Sequence, residues 1–169
     1  MVGGEFYIPN TNFYASANLG REYVKVKGLK QQGATDYAAE IGLLPITNLL
    51  VAVGVVGVKD HGKSDNDPTI RAKYLTQAGS NDVNLEASAE FGNAFNSYAI
   101  SSDYYIDRAM SVGVSYNLIT QDHAKDIYNL GINARTFISQ NASLQFGVNG
   151  GRIDGMDNYG GSFGGTYRF

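Results

Sequence analysis

Along nearly the whole chain, apolar and polar residues alternate with a period of two. In Asp82–Phe91 the odd positions are Val83, Leu85, Ala87, Ala89 and Phe91, and the even ones Asn84, Glu86, Ser88 and Glu90. Successive side chains of an extended backbone point to opposite faces, so this segment reads as a strand with one apolar and one strongly polar face. The same alternation runs through Tyr37–Leu44, Ile70–Gln77, Ser111–Leu118, Tyr128–Arg135, Ala142–Asn149 and Tyr159–Phe169. Helical periodicity is nearly absent. The fold class is all-β.

The breaks between strands are of two kinds. Pro45–Asn48, Gly79–Asp82, Asp107–Ala109 and Ser139–Asn141 read as tight turns. Gly28–Thr35, Lys59–Pro68, Gly92–Asn96, Thr120–Asp126 and Gly151–Asn158 are longer and more polar. Short turns at one end and longer loops at the other predict an antiparallel up-and-down meander, the layout of a transmembrane β-barrel of the bacterial outer membrane. The chain reads as a single barrel over 1–169, with a partial strand and turn in 1–11 and a meander of about ten full strands in 12–169. A chain that opens in mid-strand is expected to be truncated. Phe13, Ala15, Ala17 and Leu19 share one phase, whereas Val24 and Val26 have the opposite one, which predicts a bulge near Gly20.

Composition narrows the class further. The 169 residues carry a formal charge of −3, which gives no support for nucleic-acid binding. With no cysteine there are no disulfides, thiolate metal sites or cysteine nucleophile. No apolar run is long enough for a transmembrane helix. Met1–Glu5 lacks the basic start and apolar core of an export signal, so the chain reads as cytoplasmic or as shown without that signal. A mean hydropathy of −0.21 looks soluble, but the strands of a membrane barrel average their two faces to such a value.

The contrast between faces favours the membrane. One face gathers Glu, Arg, Lys, Asp and Asn with many Gly and Ser. The other is rich in tyrosine, with Tyr37, Tyr74, Tyr98, Tyr104, Tyr116, Tyr128, Tyr159 and Tyr167 assigned to strand ends, where they suit aromatic girdles at the lipid–water boundaries. A soluble antiparallel protein with a wet outer face is the competing reading. The last eight residues, Ser162–Phe169, decide against it. They resemble the terminal-strand signal of outer-membrane proteins, with Ser162, Gly164, Tyr167 and Phe169 at its marked positions. That resemblance implies recognition by the barrel assembly machinery, an outer-membrane location and the lipid bilayer as partner.

The chain also resembles a family of gammaproteobacterial outer-membrane porins. The likeness runs through Asp36–Gly42, Leu44–Gly54, Arg71–Tyr74, Ser111–Val114, Asn133-Ala134 with Phe137-Ile138, and Tyr167-Arg168-Phe169. It implies a passive water-filled channel for small hydrophilic solutes or ions. It also implies a larger barrel, so the chain reads as a version shortened at its N-terminus. A narrow structural or adhesin barrel acting through its outer loops is the alternative, and a barrel hydrolase a further one.

One motif points elsewhere. Gly57–Ser64 matches the phosphate-binding pattern G-x-x-x-x-G-K-[ST], and the apolar run Leu49–Val56 precedes it. Such a loop works only where it opens a helix whose N–H groups face the phosphates. Here Asp65-Asn66-Asp67-Pro68 follow, then an alternating strand, so no nucleotide is expected. His61 and His123 are placed in loops, and Asp122-His123 has no identifiable nucleophile beside it. No catalytic residue, cofactor or metal ligand is assigned.

The polar face holds the candidate pore lining: Glu40, Arg71, Lys73, Glu86, Glu90, Asp103, Arg135 and Arg168. In lipid at mid-depth, Lys or Arg costs about 2–4 kcal/mol, so these residues belong inside. A hairpin turned over Gly79–Asp82 predicts Arg71 opposite Glu90, with Lys73 diagonal to Glu86 and Glu90. The same charges could instead form an ion-paired plug in a narrow barrel.

Overall fold

The computed structural model describes residues 2–24, 32–60, 63–122, 124–139, 141–153 and 155–167. They form one antiparallel sheet of eleven strands in sequence order. The strands are β1 (Val2–Tyr7), β2 (Phe13–Val24), β3 (Gln32–Ile46), β4 (Leu49–Asp60), β5 (Lys63–Ala78), β6 (Asn81–Phe91), β7 (Phe95–Tyr105), β8 (Met110–Gln121), β9 (Ile127–Phe137), β10 (Ala142–Ile153) and β11 (Met156–Tyr167). The short first strand and ten full ones agree with the period-two reading. Each full strand has the length needed to cross a bilayer at a tilt, about 9–11 residues. The outer edges are β1 and β11, which are not hydrogen-bonded to each other, so the barrel is not closed in this structure.

Burial is inverted relative to a water-soluble sheet. Among the described residues, Tyr14, Leu50, Ala52, Asp67, Asn84 and Ser111 are buried, as are Gly20, Gly113 and Gly131, and all lie in the polar-face phase of their strands. On the other face Ile41, Val53, Ile100, Leu130, Val148 and Phe163 are exposed. A contiguous apolar surface this broad is incompatible with water but suits hydrocarbon. Charges in the apolar phase fall near the loop ends: Arg21, Lys59, and the pair Arg152–Asp157 at 3.2 Å.

Several expectations are corrected. No bulge occurs at Gly20, because β2 pairs with β3 in unbroken register from Phe13↔Leu43 to Val24↔Gln32. The irregularity lies instead between Leu43 and Ile46, where Pro45 supplies no N–H to the ladder. The loop expected over Lys59–Pro68 is largely strand, with pairs continuing to Asp60↔Lys63. Gly151–Asn158 is likewise a hairpin, paired out to Ile153↔Met156. Ladder hydrogen bonds need no apolar alternation, so strands continue through polar sequence beyond the apolar belt. Tyr116 sits in mid-strand between Ile100 and Leu130, and not at a strand end.

The β5–β6 hairpin turns over Gly79-Ser80 alone, with Ala78 paired to Asn81. Gly79 has φ 67°, as the first central position of a type II′ turn requires. The turn is two residues shorter than predicted, so Arg71 faces Ser88, Lys73 faces Glu86 and Glu90 faces Thr69. An even shift leaves every side chain on its assigned face.

Candidate pore lining

Within the polar face the charged residues are organised around Arg71. Its Nη2 donates to Glu40 Oε1 at 2.8 Å and to the Tyr14 hydroxyl at 3.0 Å. Its Nε donates to both Glu40 oxygens at 3.1 Å, and Nη1 reaches Glu86 Oε1 at 3.4 Å. The guanidinium carbon also lies 5.6 Å from the Tyr14 ring centroid, and Tyr7 packs on Tyr14 with centroids 5.2 Å apart. A forked, planar cation thus bridges strands β2, β3, β5 and β6, which a lysine ammonium could not do with the same geometry.

The bridge needs an unobstructed floor. Arg71 pairs with Ala52 on β4, and Glu40 on β3 pairs with Gly54. The Arg71 side chain therefore spans β4 where that strand carries two of the smallest residues. A Cβ added at Gly54 would come within 2.9 Å of Thr69 Oγ1 and 3.1 Å of Glu40 Cα. The apolar inner side of β4, with Leu50 and Ala52 both buried, is the consequence.

The remaining candidates lie apart from this cluster. Lys73, opposite Glu86, lines a cavity of about 280 Å³ with Leu50, Leu75 and Asn84 towards the short-turn end. Glu90 lies on the loop side of Arg71, opposite Thr69 and Ser97. Asp103 pairs with Asn84 and Gly113, and a side chain at Gly113 would collide with its carboxylate. Arg135 donates to Gln145 Oε1 at 3.1 Å, opposite the buried Ser111. Arg168 and Phe169 lie outside the described residues. Ser162 and Gly164 occupy the polar phase of β11, opposite Gly147 and Gln145, and Tyr167 the apolar phase opposite Ala142.

Sequence reasoning missed Tyr14, Ala52 and Gly54. A signal for Tyr14 existed, since it shares the phase of Ser16 and Asn18 and is out of phase with Phe13 and Ala15. The phosphate-loop match is a hairpin. Gly57–Asp60 end β4, Lys63 and Ser64 begin β5, and Lys59 pairs with Ser64. Tyr37 closes the lipid-side rim there, its hydroxyl bonded to Asn66 Oδ1 and lying 2.7 Å from Ser64 Oγ. The other loop residues of interest, His61 and His123, lie outside the described residues.

An up-and-down sheet with a charged inner row and an apolar outer surface is the geometry of an outer-membrane channel. The family model described as "Putative general bacterial porin" matches residues 1–169. The chain belongs to this porin family. Among solved structures it is similar to the outer membrane protein Omp33 of Acinetobacter baumannii, at 21% identity and TM-score 0.62, covering 96% of this chain and 74% of that one. The NanC porin is similar at 8% identity and TM-score 0.62, over 99% of this chain and 97% of that one. The KdgM porin is similar at 9% identity and TM-score 0.61, over 99% and 96%. No curated protein matches the chain. The protein is an outer-membrane, porin-like channel of β-barrel type, from a family of channels rather than of enzymes.

Proposed function

We propose that this porin is a passive conduit for small hydrophilic solutes or ions, and that Glu40, Arg71, Lys73, Glu86, Glu90, Asp103 and Arg135 line the route, with Arg168 continuing the row. One observation carries the reading. All the described members of this set share the face opposite the exposed apolar residues, and Arg71 is held flat by Glu40, Glu86 and Tyr14. A guanidinium pinned along the wall leaves space above it, whereas a plug would need side chains standing out from the wall. Fixed charges of both signs along a water-filled passage tune which solutes cross. The test is single-channel recording in planar bilayers with the purified chain. Discrete ohmic steps are expected, and a bilayer that stays silent at saturating protein would refute conduction.

Insertion is proposed to depend on the terminal strand, through Ser162, Gly164, Tyr167 and Phe169, read by the barrel assembly machinery. Burial of one aromatic stabilises by only about 1.5–3 kcal/mol. Phe169→Ser should therefore lower insertion in cells far more than refolding into detergent. Equal insertion of both forms in cells would remove the proposal.

A further inference from the structure

A second cavity, of about 340 Å³, lies on the same polar face towards the loop end. Carboxylates from three strands reach it: Asp36 of β3, Asp65 and Asp67 of β5, and Glu90 of β6. The ladder explains their convergence. Asp36 and Asp65 both pair with Val58, Asp67 pairs with Val56, and Glu90 pairs with Thr69, the next inward-facing residue along β5 from Asp67. None of the ion pairs among the described residues involves any of these four, because the nearby Arg71 is committed to Glu40 and Glu86.

Asp67 is the unusual member. It is only 9% exposed, and its Oδ1 is buried with no hydrogen-bond partner. A buried carboxylate oxygen with no protein donor is costly, and it is suited to accept from the N–H of a bound cation. Asp67 also lies against Gly92, where an added Cβ would come within 3.0 Å of Oδ2. A side chain at that position would press on the carboxylate.

A metal ion fits this pocket poorly. Among the described residues no three carboxylates converge closely enough to hold one. The cavity walls are also partly apolar, formed by Val56, Val58 and Phe95. Spaced acids around an apolar wall match a positively charged nitrogen carried on a short hydrocarbon body. We propose that this pocket binds the ammonium group of a small organic amine, with Asp67 accepting its hydrogen bond and Asp36, Asp65 and Glu90 supplying the surrounding negative potential. The proposal rests on the reading of the polar face as the water-filled side, and it gives that route a solute class.

Binding is measured apart from conduction, so the two readings fail separately. The full chain, refolded in detergent, is titrated with n-butylammonium and followed by saturation-transfer NMR of the ligand. Saturable binding is expected, weakened about tenfold by Asp67→Asn through loss of one charge-assisted hydrogen bond. Asp65 is exposed, so Asp65→Asn keeps the fold and should weaken binding by a smaller factor. Asp126→Asn removes a carboxylate from the β8–β9 connection and should change nothing. Unaltered binding in both Asp67→Asn and Asp65→Asn overturns the proposal. So does displacement of butylammonium by Mg²⁺ at lower concentration than the amine itself, which would make the pocket a metal site. Equal binding of butyrate would overturn it too, by showing hydrophobic uptake without charge recognition.

Discussion

The two halves of the polar face are built differently. From β2 to β6 the described inward positions carry Asp36, Glu40, Asp65, Asp67, Arg71, Lys73, Asp82, Glu86 and Glu90. From β7 to β11 the described inward positions carry only Asp103 and Arg135 as charges, and are otherwise mainly Ser, Asn, Gln and Gly. A cavity of about 260 Å³ in the second half is lined by Ser115, Asn129, Asn133, Gln145, Asn149 and Ser162, with Gly131 and Gly147 beneath them. One half has a fixed, ion-paired electrostatic pattern. The other offers neutral donors and acceptors, such as the Asn149–Asn129 bond at 3.2 Å. Both alternate with the same period, so the outer surface is alike while the inner surface is not.

The largest effect should come from breaking the face assignment that both halves share. Ile132→Lys puts an ammonium in lipid and should cost about 2–4 kcal/mol, read as a lowered urea midpoint in refolded vesicles. Asn133→Lys, one residue along, should cost less than about 1 kcal/mol because it points to the polar side. Equal losses at the two positions would remove the inside-out arrangement in the neutral half.

The halves should then separate under loss of their arginines. Arg71→Met leaves Glu40 and Glu86 without their shared cation and Tyr14 without its donor. The ion pairs are partly exposed, at 19% and 18% for Arg71 and Glu40, so solvent screening reduces the cost to about 1–3 kcal/mol. Arg135→Met gives up one bond to a neutral amide, worth about 0.5–1.5 kcal/mol. An Arg135 variant less stable than the Arg71 variant would reverse the ranking.

These two arginines also show how far the fold could be read from the chain. Alternation assigns both to the polar face with no knowledge of pairing, because a period of two needs only one strand. Strand number follows for the same reason. Pairing is harder. The Arg71 contact with Glu90 predicted from hairpin arithmetic fails because Gly79-Ser80 alone makes the turn, a difference of turn length that Gly79–Asp82 conceals. The main partner, Glu40, is 31 residues away on a strand that is not paired with β5. It is reached only because Ala52 and Gly54 lie between. Strand ends were also obscured, since Lys59 and Asp60 pair with Ser64 and Lys63, and the ladder runs on through Asp67, without an apolar pattern to announce it.

A smaller effect concerns ion preference. Glu90→Lys inverts one charge beside Asp67 in the charged half and should move the reversal potential in a KCl gradient towards anions. Screening confines each charge to about 8–10 Å at ordinary ionic strength, so Asn149→Lys across the face should act on a separate stretch of the route. If the two changes shift the potential independently and add, the halves act as distinct segments. A double variant with no shift beyond Glu90→Lys alone would show that the charged half governs permeation.

The smallest effect is expected at the phosphate-loop match, which lies at the rim of the charged half. A nucleotide site needs backbone N–H groups left free to point at phosphate. Here the backbones of Val58, Lys59 and Asp60 are paired with Asp65, Ser64 and Lys63 as a hairpin, so the ladder already uses that segment. The carboxylates of Asp65 and Asp67 add a negative potential, which repels a triphosphate and attracts an amine. Lys63→Ala should therefore leave folding, conduction and amine binding nearly unchanged, and neither form should bind ATP in equilibrium dialysis. Saturable ATP binding that vanishes in Lys63→Ala would mean that this hairpin opens in solution. The acidic rim would then have to be reassigned, because one surface could not hold both an unshielded carboxylate cluster and a phosphate chain.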